Sequence, residues 1–257
     1  MPSHRASTLE ALRQTVARIE AAAAARPFGR VLPLGIPEID QRLGGGLRFG
    51  AVHELAPALP VHAGAMTGFA LALAVLAGGP VLWIENDGNR RESGRLDGLG
   101  LSLYGLPLDR LVVLAAARGR DVLWAMEEAL RSRAVRLVIG ELSQEVSADD
   151  GMASRRLSLT AREAGSLGLL LRPKPALAPS AAATRWLVAA HPGVPDRFGG
   201  LGRARFALTL TRNRRGPGGR FILSWNQHDR VFQPALPVGV AAPAFDRPDR
   251  APLVRTA

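Results

Sequence analysis

Few side chains in this 257-residue sequence are of a type that carries covalent or metal chemistry. There is no cysteine, which excludes thiol catalysis, disulfide frameworks and cysteine-ligated zinc. Lys174 is the single lysine, so 32 of the 33 basic residues are arginine. Any step that needs an amine must use that one side chain. The five histidines, His4, His53, His62, His191 and His228, show no H-x-x-x-H spacing, and no G-x-S-x-G occurs. Zinc-hydrolase and serine-nucleophile chemistry therefore have no support, and each histidine reads as structural. Glu127 and Glu128 sit beside Leu123, Ala125, Met126, Ala129 and Leu130 and read as the solvated face of one helix.

What remains is positive charge, and it is unevenly spread. Up to residue 150 there are 16 arginines against 17 acidic residues, a net of −1; from 151 onward 17 basic residues face 5 acidic ones, a net of +12. A localised excess implies a polyanionic partner, nucleic acid first. The plain alternative is an arginine-rich composition with solvated side chains.

The elements that must position these groups follow from periodicity. Leu9, Leu12, Val16 and Ile19 recur at helical spacing and predict an N-terminal amphipathic helix, broken by Arg26-Pro27-Phe28-Gly29. Segments 51–55, 81–85, 111–114, 137–140 and 167–171 are short apolar runs without alternation, as in parallel strands buried on both faces. Helix candidates lie between them at 65–77, 92–99, 120–132 and 152–165. This order predicts an α/β fold with a mostly parallel, doubly wound sheet. Beyond Arg172 a proline-rich loop leads to 186–190. Alternating runs 206–211 and 221–225 then flank Arg214 to Gly219 and read as a C-terminal antiparallel β-hairpin extension. The expected division is 1–29 helix and linker, 30–232 main domain with hairpin, and 233–257 disordered tail. The N-terminus has no signal-peptide core, and the longest apolar stretch, 69–77, falls short of the roughly 20 residues that span a bilayer. A cytoplasmic protein is expected.

The block Leu34-Gly-Ile-Pro-Glu-Ile-Asp-Gln-Arg-Leu-Gly-Gly-Gly-Leu-Arg-Phe-Gly-Ala-Val-His-Glu-Leu55 resembles the opening of RecA-like ATPases, which place a G-x-x-x-x-G-K-[ST] phosphate loop just after the first strand. Here the matching stretch, 56–68, has no lysine, and Pro57 and Pro60 remove backbone donors. Gly64 and Thr67 stand as relics of the loop glycine and hydroxyl. The strand that should end in a magnesium-binding Asp reads Val138-Ile-Gly-Glu-Leu142, with Gly140 at the expected position and Glu141 one later. Glu85 and Asp87 match the water-activating carboxylate of that family. Without lysine and metal they have no phosphate to act on, and a helix-capping role is the preferred reading. No ATP hydrolysis, cofactor or metal is expected.

In the basic C-terminal part, Arg212, Arg214 and Arg215 lie at the hairpin turn with Arg203, Arg205 and Arg220 close by, and Arg155, Arg156 and Arg162 add charge on the preceding helix. Nucleic acid and an acidic protein both suit this surface. The alternation of Phe206, Leu208 and Leu210 with Phe221, Leu223 and Trp225 assigns these aromatics to a core face rather than to base stacking. The eroded loop, the L-G-G-G-L-R-F-G-A-V-H-E-L block and the hairpin ending R-F-I-L-S-W together resemble the ImuA family of bacterial mutagenesis cassettes, over about residues 30 to 232. That resemblance implies a non-catalytic role in the SOS response. Its partners would be an ImuB-like polymerase homologue, an error-prone replicative-type polymerase, RecA through the Leu9, Leu12, Val16 and Ile19 surface, and DNA. Two other readings stay open: an atypical RecA-like ATPase, and a SulA-like inhibitor of filament assembly.

Overall fold

The computed structural model describes residues 30–143, 150–175, 179–195, 200 and 202–235. The expected N-terminal helix with Leu9, Leu12, Val16 and Ile19 lies outside them, as do residues 236–257 of the expected tail. Strands β1 (Val31–Leu32) and β2 (Leu47–Arg48) form a small antiparallel pair around helix α1 (Pro37–Leu43). Proline at the start of α1 and Gly44 in the left-handed region at its end delimit the helix. The Gly44-Gly45-Gly46 turn is sterically required. Gly46 has φ +136°, and a Cβ there would lie 2.3 Å from the Leu32 carbonyl oxygen.

The main sheet has nine strands. These are β3 (Ala51–Pro57), β4 (Val81–Asn86), β5 (Leu111–Ala116), β6 (Leu137–Glu141), β7 (Leu167–Leu171), β8 (Thr184–Ala190), β9 (Arg205–Asn213), β10 (Gly219–Asn226) and β11 (Val231–Pro234). Their order is β11-β10-β9-β8-β3-β7-β6-β4-β5, parallel from β8 to β5 and antiparallel from β8 to β11. The predicted hairpin is thus part of a longer antiparallel wing, and Gln233 and Pro234, expected in the tail, belong to its last strand.

Helix α2 (Ala63–Ala77) covers one face of the sheet, where Phe69, Ala70 and Leu73 join Trp83, Ile139, Trp186, Phe206, Phe221 and Trp225 in the larger core. Helices α5 (Gly119–Ser132) and α6 (Asp150–Ala164) cover the other face through Val122, Met126, Leu157 and Ala161 against Val52, Ile84, Val138 and Leu170. By length and composition the run Pro60–Ala77 could cross a membrane. In the fold, its helical part is packed beneath the sheet. A helix largely buried from Phe69 to Ala77 accounts for that apolar composition.

Two expectations need correction. The helix foreseen at 92–99 is split into α3 (Asp87–Ser93) and α4 (Gly98–Leu103). Gly94 at φ +86° ends the first, and the Asp97 carboxylate starts the second by accepting from Gly100 N–H. Strand β5 was expected to be buried on both faces, yet Val112, Val113 and Leu114 are exposed because β5 is the edge strand. An apolar run does not reveal its place in the strand order.

Candidate functional site

The carboxyl end of β3 is where the sequence resemblance locates a phosphate loop. A phosphate cradle needs several consecutive backbone N–H groups pointing outward. Here three of them are already taken by backbone carbonyls. Ala58 N–H donates to the Val188 carbonyl at 2.8 Å, His62 N–H to Leu59 at 2.9 Å, and Ala63 N–H to Pro60. A 3-10 turn over Pro60–His62 runs straight into α2, so the loop is closed by its own hydrogen bonds. Gly64 lies in the first turn of α2, has no positive φ, and a Cβ there would meet nothing. The Thr67 hydroxyl donates to the Ala63 carbonyl one turn earlier, at 3.3 Å. Leu59 and Val61, 60% and 80% exposed, form the crest. Lys174, exposed, follows β7 outside this segment.

On β6 the alternation of side chains refines the expected metal position. Leu137 and Ile139 face α2, while Val138 faces α5 and α6. Gly140 therefore points away from the phosphate-loop helix, and a Cβ there would lie 3.0 Å from Met126 Sδ and 3.2 Å from a Val122 methyl. The residue on the α2 side is Glu141. Its carboxylate accepts from the indole N–H of Trp83 at 2.7 Å. Burial pushes the Glu141 carboxyl above the usual range, neighbouring Glu85 adds to that, and the Trp83 hydrogen bond opposes it. Glu85 accepts from Leu96 N–H at 2.9 Å and lies 3.5 Å from Arg90 Nε; Asp87 pairs with Arg90 at 2.8 Å. The capping of α3 expected from these acids is done by Asn86, whose side chain accepts from Gly88 N–H. Among the described residues no group of three potential ligands is placed to hold a metal. The donors at this sheet end do not fit a magnesium–triphosphate group.

The six arginines proposed as one binding surface are separated. Arg205 and Arg212 stand seven residues apart on β9, about 24 Å at the strand rise. Arg203 donates to Gln233 at 2.7 Å, Arg205 is buried and donates to the Pro192 carbonyl at 3.1 Å, and Arg212 donates to Ser180 at 2.8 Å. Arg220 is exposed on β10. Arg214 and Arg215 are exposed at the turn, which is clasped to α1 by Asn213 donating to the Arg42 carbonyl and Arg42 donating to Gly218, at 2.8 and 2.7 Å. Phe221 and Trp225 are buried in the core, as their alternation indicated.

Three polar arrangements escaped the sequence reading. Glu54, buried mid-strand, binds Arg172 at 3.1 Å and Arg185 at 2.9 Å. A lone acid inside an apolar run was the available signal. His53 is also buried. Its Nε2 lies 3.1 Å from the Arg48 carbonyl and its Nδ1 lies 2.7 Å from Thr184 Oγ1. Burial lowers its pKa from 6.5 to about 4. Glu127, read as solvated, bridges Arg131 of its own helix and Arg156 of α6, at 3.0 and 3.1 Å.

A parallel sheet covered by helices on both faces and continued by an antiparallel wing defines a RecA-like α/β protein. The fold matches a crystal structure of the RadB recombinase with a TM-score of 0.56, over 80% of this chain and 100% of that one, at 16% sequence identity. No family model matches the chain. The sequence is 33% identical over 211 residues to Protein ImuA of Caulobacter vibrioides, in strains NA1000 / CB15N and ATCC 19089 / CIP 103742 / CB 15, covering 75% of this chain and 82% of that relative. The chain belongs to the ImuA family.

Proposed function

We propose that this chain is a non-catalytic accessory protein of SOS-induced, error-prone translesion synthesis. It acts as an adaptor for an ImuB-like polymerase homologue and an error-prone replicative-type DNA polymerase, and meets RecA through the Leu9, Leu12, Val16 and Ile19 surface. The observation that carries this reading is the segment 57–67. Its two prolines, carbonyl-bonded N–H groups and exposed Leu59 and Val61 stand where a nucleotide-binding relative of this fold presents phosphate donors. Membership of the ImuA family supports the cellular context proposed.

The test has two arms. A melting series of the full chain with ATP and magnesium is expected to give no stabilisation; a ligand at a hundredfold excess over its dissociation constant would add about 2.7 kcal/mol. Such a rise would turn the reading toward an atypical ATPase. In the second arm the chain is co-purified with an ImuB-like homologue and an error-prone replicative-type polymerase. Retention is expected, and failure of both to be retained would remove the adaptor role.

A further inference from the structure

At the opposite end of the sheet from the phosphate-loop position, the amino end of β3, a groove of about 510 Å³ runs between α6 and the end of the antiparallel wing. Its lining includes Arg48 of β2, Arg155 and Arg162 of α6, and Arg214 of the β9–β10 turn, and contains no acidic residue. All four arginines are exposed, and among the described residues none forms an ion pair with a carboxylate. Four like charges brought to one groove repel each other and must stay solvated unless an anion is bound. The fold assembles them from three remote stretches of sequence. The clasp between Asn213, Gly218 and Arg42 holds the turn that carries Arg214.

From this geometry we infer that the groove binds the phosphodiester backbone of a nucleic acid. Arg155 and Arg162 are two helical turns apart, about 10 Å along α6. That separation is too wide for both guanidiniums to hold one phosphate and suits contacts to two phosphates of a strand rather than one small phosphorylated molecule. Arg215 continues the charge along the turn: a Cβ on Gly44 would lie 3.3 Å from its guanidinium. Between the arginines the walls are Gly50, Ala51, Val52, Ser158, Leu159, Ala181 and Ala183, with no aromatic ring. With no ring to stack a base, contact is to the backbone without base readout. The inference is independent of the adaptor reading, since phosphate contact here needs no polymerase partner.

The test is binding of a mixed-sequence duplex oligonucleotide to the full chain, from 50 to 200 mM salt. Losing two phosphate contacts in R155Q/R162Q lowers the slope of log affinity against log salt by about 1.8. Wild-type affinity then falls about tenfold more steeply than the variant's across that range. The charge-conserving R155K/R162K is expected to keep the wild-type slope, and R203Q/R220Q, at other parts of the wing, to leave it unchanged. An unaltered melting temperature of R155Q/R162Q ties its loss to contact rather than to folding. Wild-type salt dependence in R155Q/R162Q would overturn the inference. So would no binding by wild type at 50 mM salt, or competition by polyglutamate or pyrophosphate as effective as that by the oligonucleotide.

Discussion

His53 offers a direct test of the packing between β3 and β8. The Arg48 carbonyl can only accept, so Nε2 of the imidazole carries the proton and Nδ1 is an acceptor. Thr184 Oγ1 accepts from the Trp186 indole N–H at 2.8 Å and gives its own proton to Nδ1. Protonating Nδ1 sets two donors against each other in a site with no water-exposed surface. The folded pKa of about 4 lies below the 6.5 of the free side chain. The unfolded state therefore binds the extra proton first, and stability is full above pH 6.5 and falls as pH drops toward 4. At about 1.4 kcal/mol per unit, the loss is about 3 kcal/mol by pH 4. Urea unfolding of wild type and His53→Gln between pH 4 and 7.5 isolates this group from other titrations. The variant keeps a donor for the Arg48 carbonyl and starts somewhat less stable at pH 7.5. Its stability should fall by about 3 kcal/mol less than that of wild type over the range. Parallel curves for the two proteins would refute the buried neutral imidazole.

Three further substitutions probe other parts of the structure. Glu54→Ala leaves the buried Arg172 and the half-buried Arg185 without their shared carboxylate and should cost about 3–5 kcal/mol by chemical denaturation. Glu141→Gln preserves an acceptor for Trp83 and replaces a carboxyl whose charged form burial disfavours, so it should match or exceed wild-type stability at pH 7. Glu141→Leu, which strands the indole N–H, should cost about 1–3 kcal/mol. Gly140→Asp restores the residue of a magnesium site but drives it into Met126 and Val122; a drop in melting temperature without gain of metal-dependent nucleotide binding is expected, by calorimetry and thermal shift.

The ordering of elements was legible because local hydrophobic patterning encodes it. Buried parallel strands need unbroken apolar runs, and helices between them need a polar face, so 81–85, 137–140 and 167–171 could be located without coordinates. The alternating strands 206–211 and 221–225 even declared which aromatics enter the core. The missing loop lysine, the prolines at 57 and 60 and the basic C-terminal excess were likewise plain in the sequence, since they are statements about residue type.

Facing, adjacency and edges were decided only by the tertiary structure. In a strand covered on both sides every position is apolar, so no alternation tells that Gly140 looks toward α5 while Glu141 looks toward α2. Packing against Met126 and Val122 settles it. Closeness in sequence also misled for the arginines, because an extended strand carries Arg205 about 24 Å from Arg212. The fold instead brings β2, α6 and the β9–β10 turn together at the amino end of β3, so Arg48 meets Arg155, Arg162 and Arg214 in one groove while Arg203 and Arg205 stand at the other end.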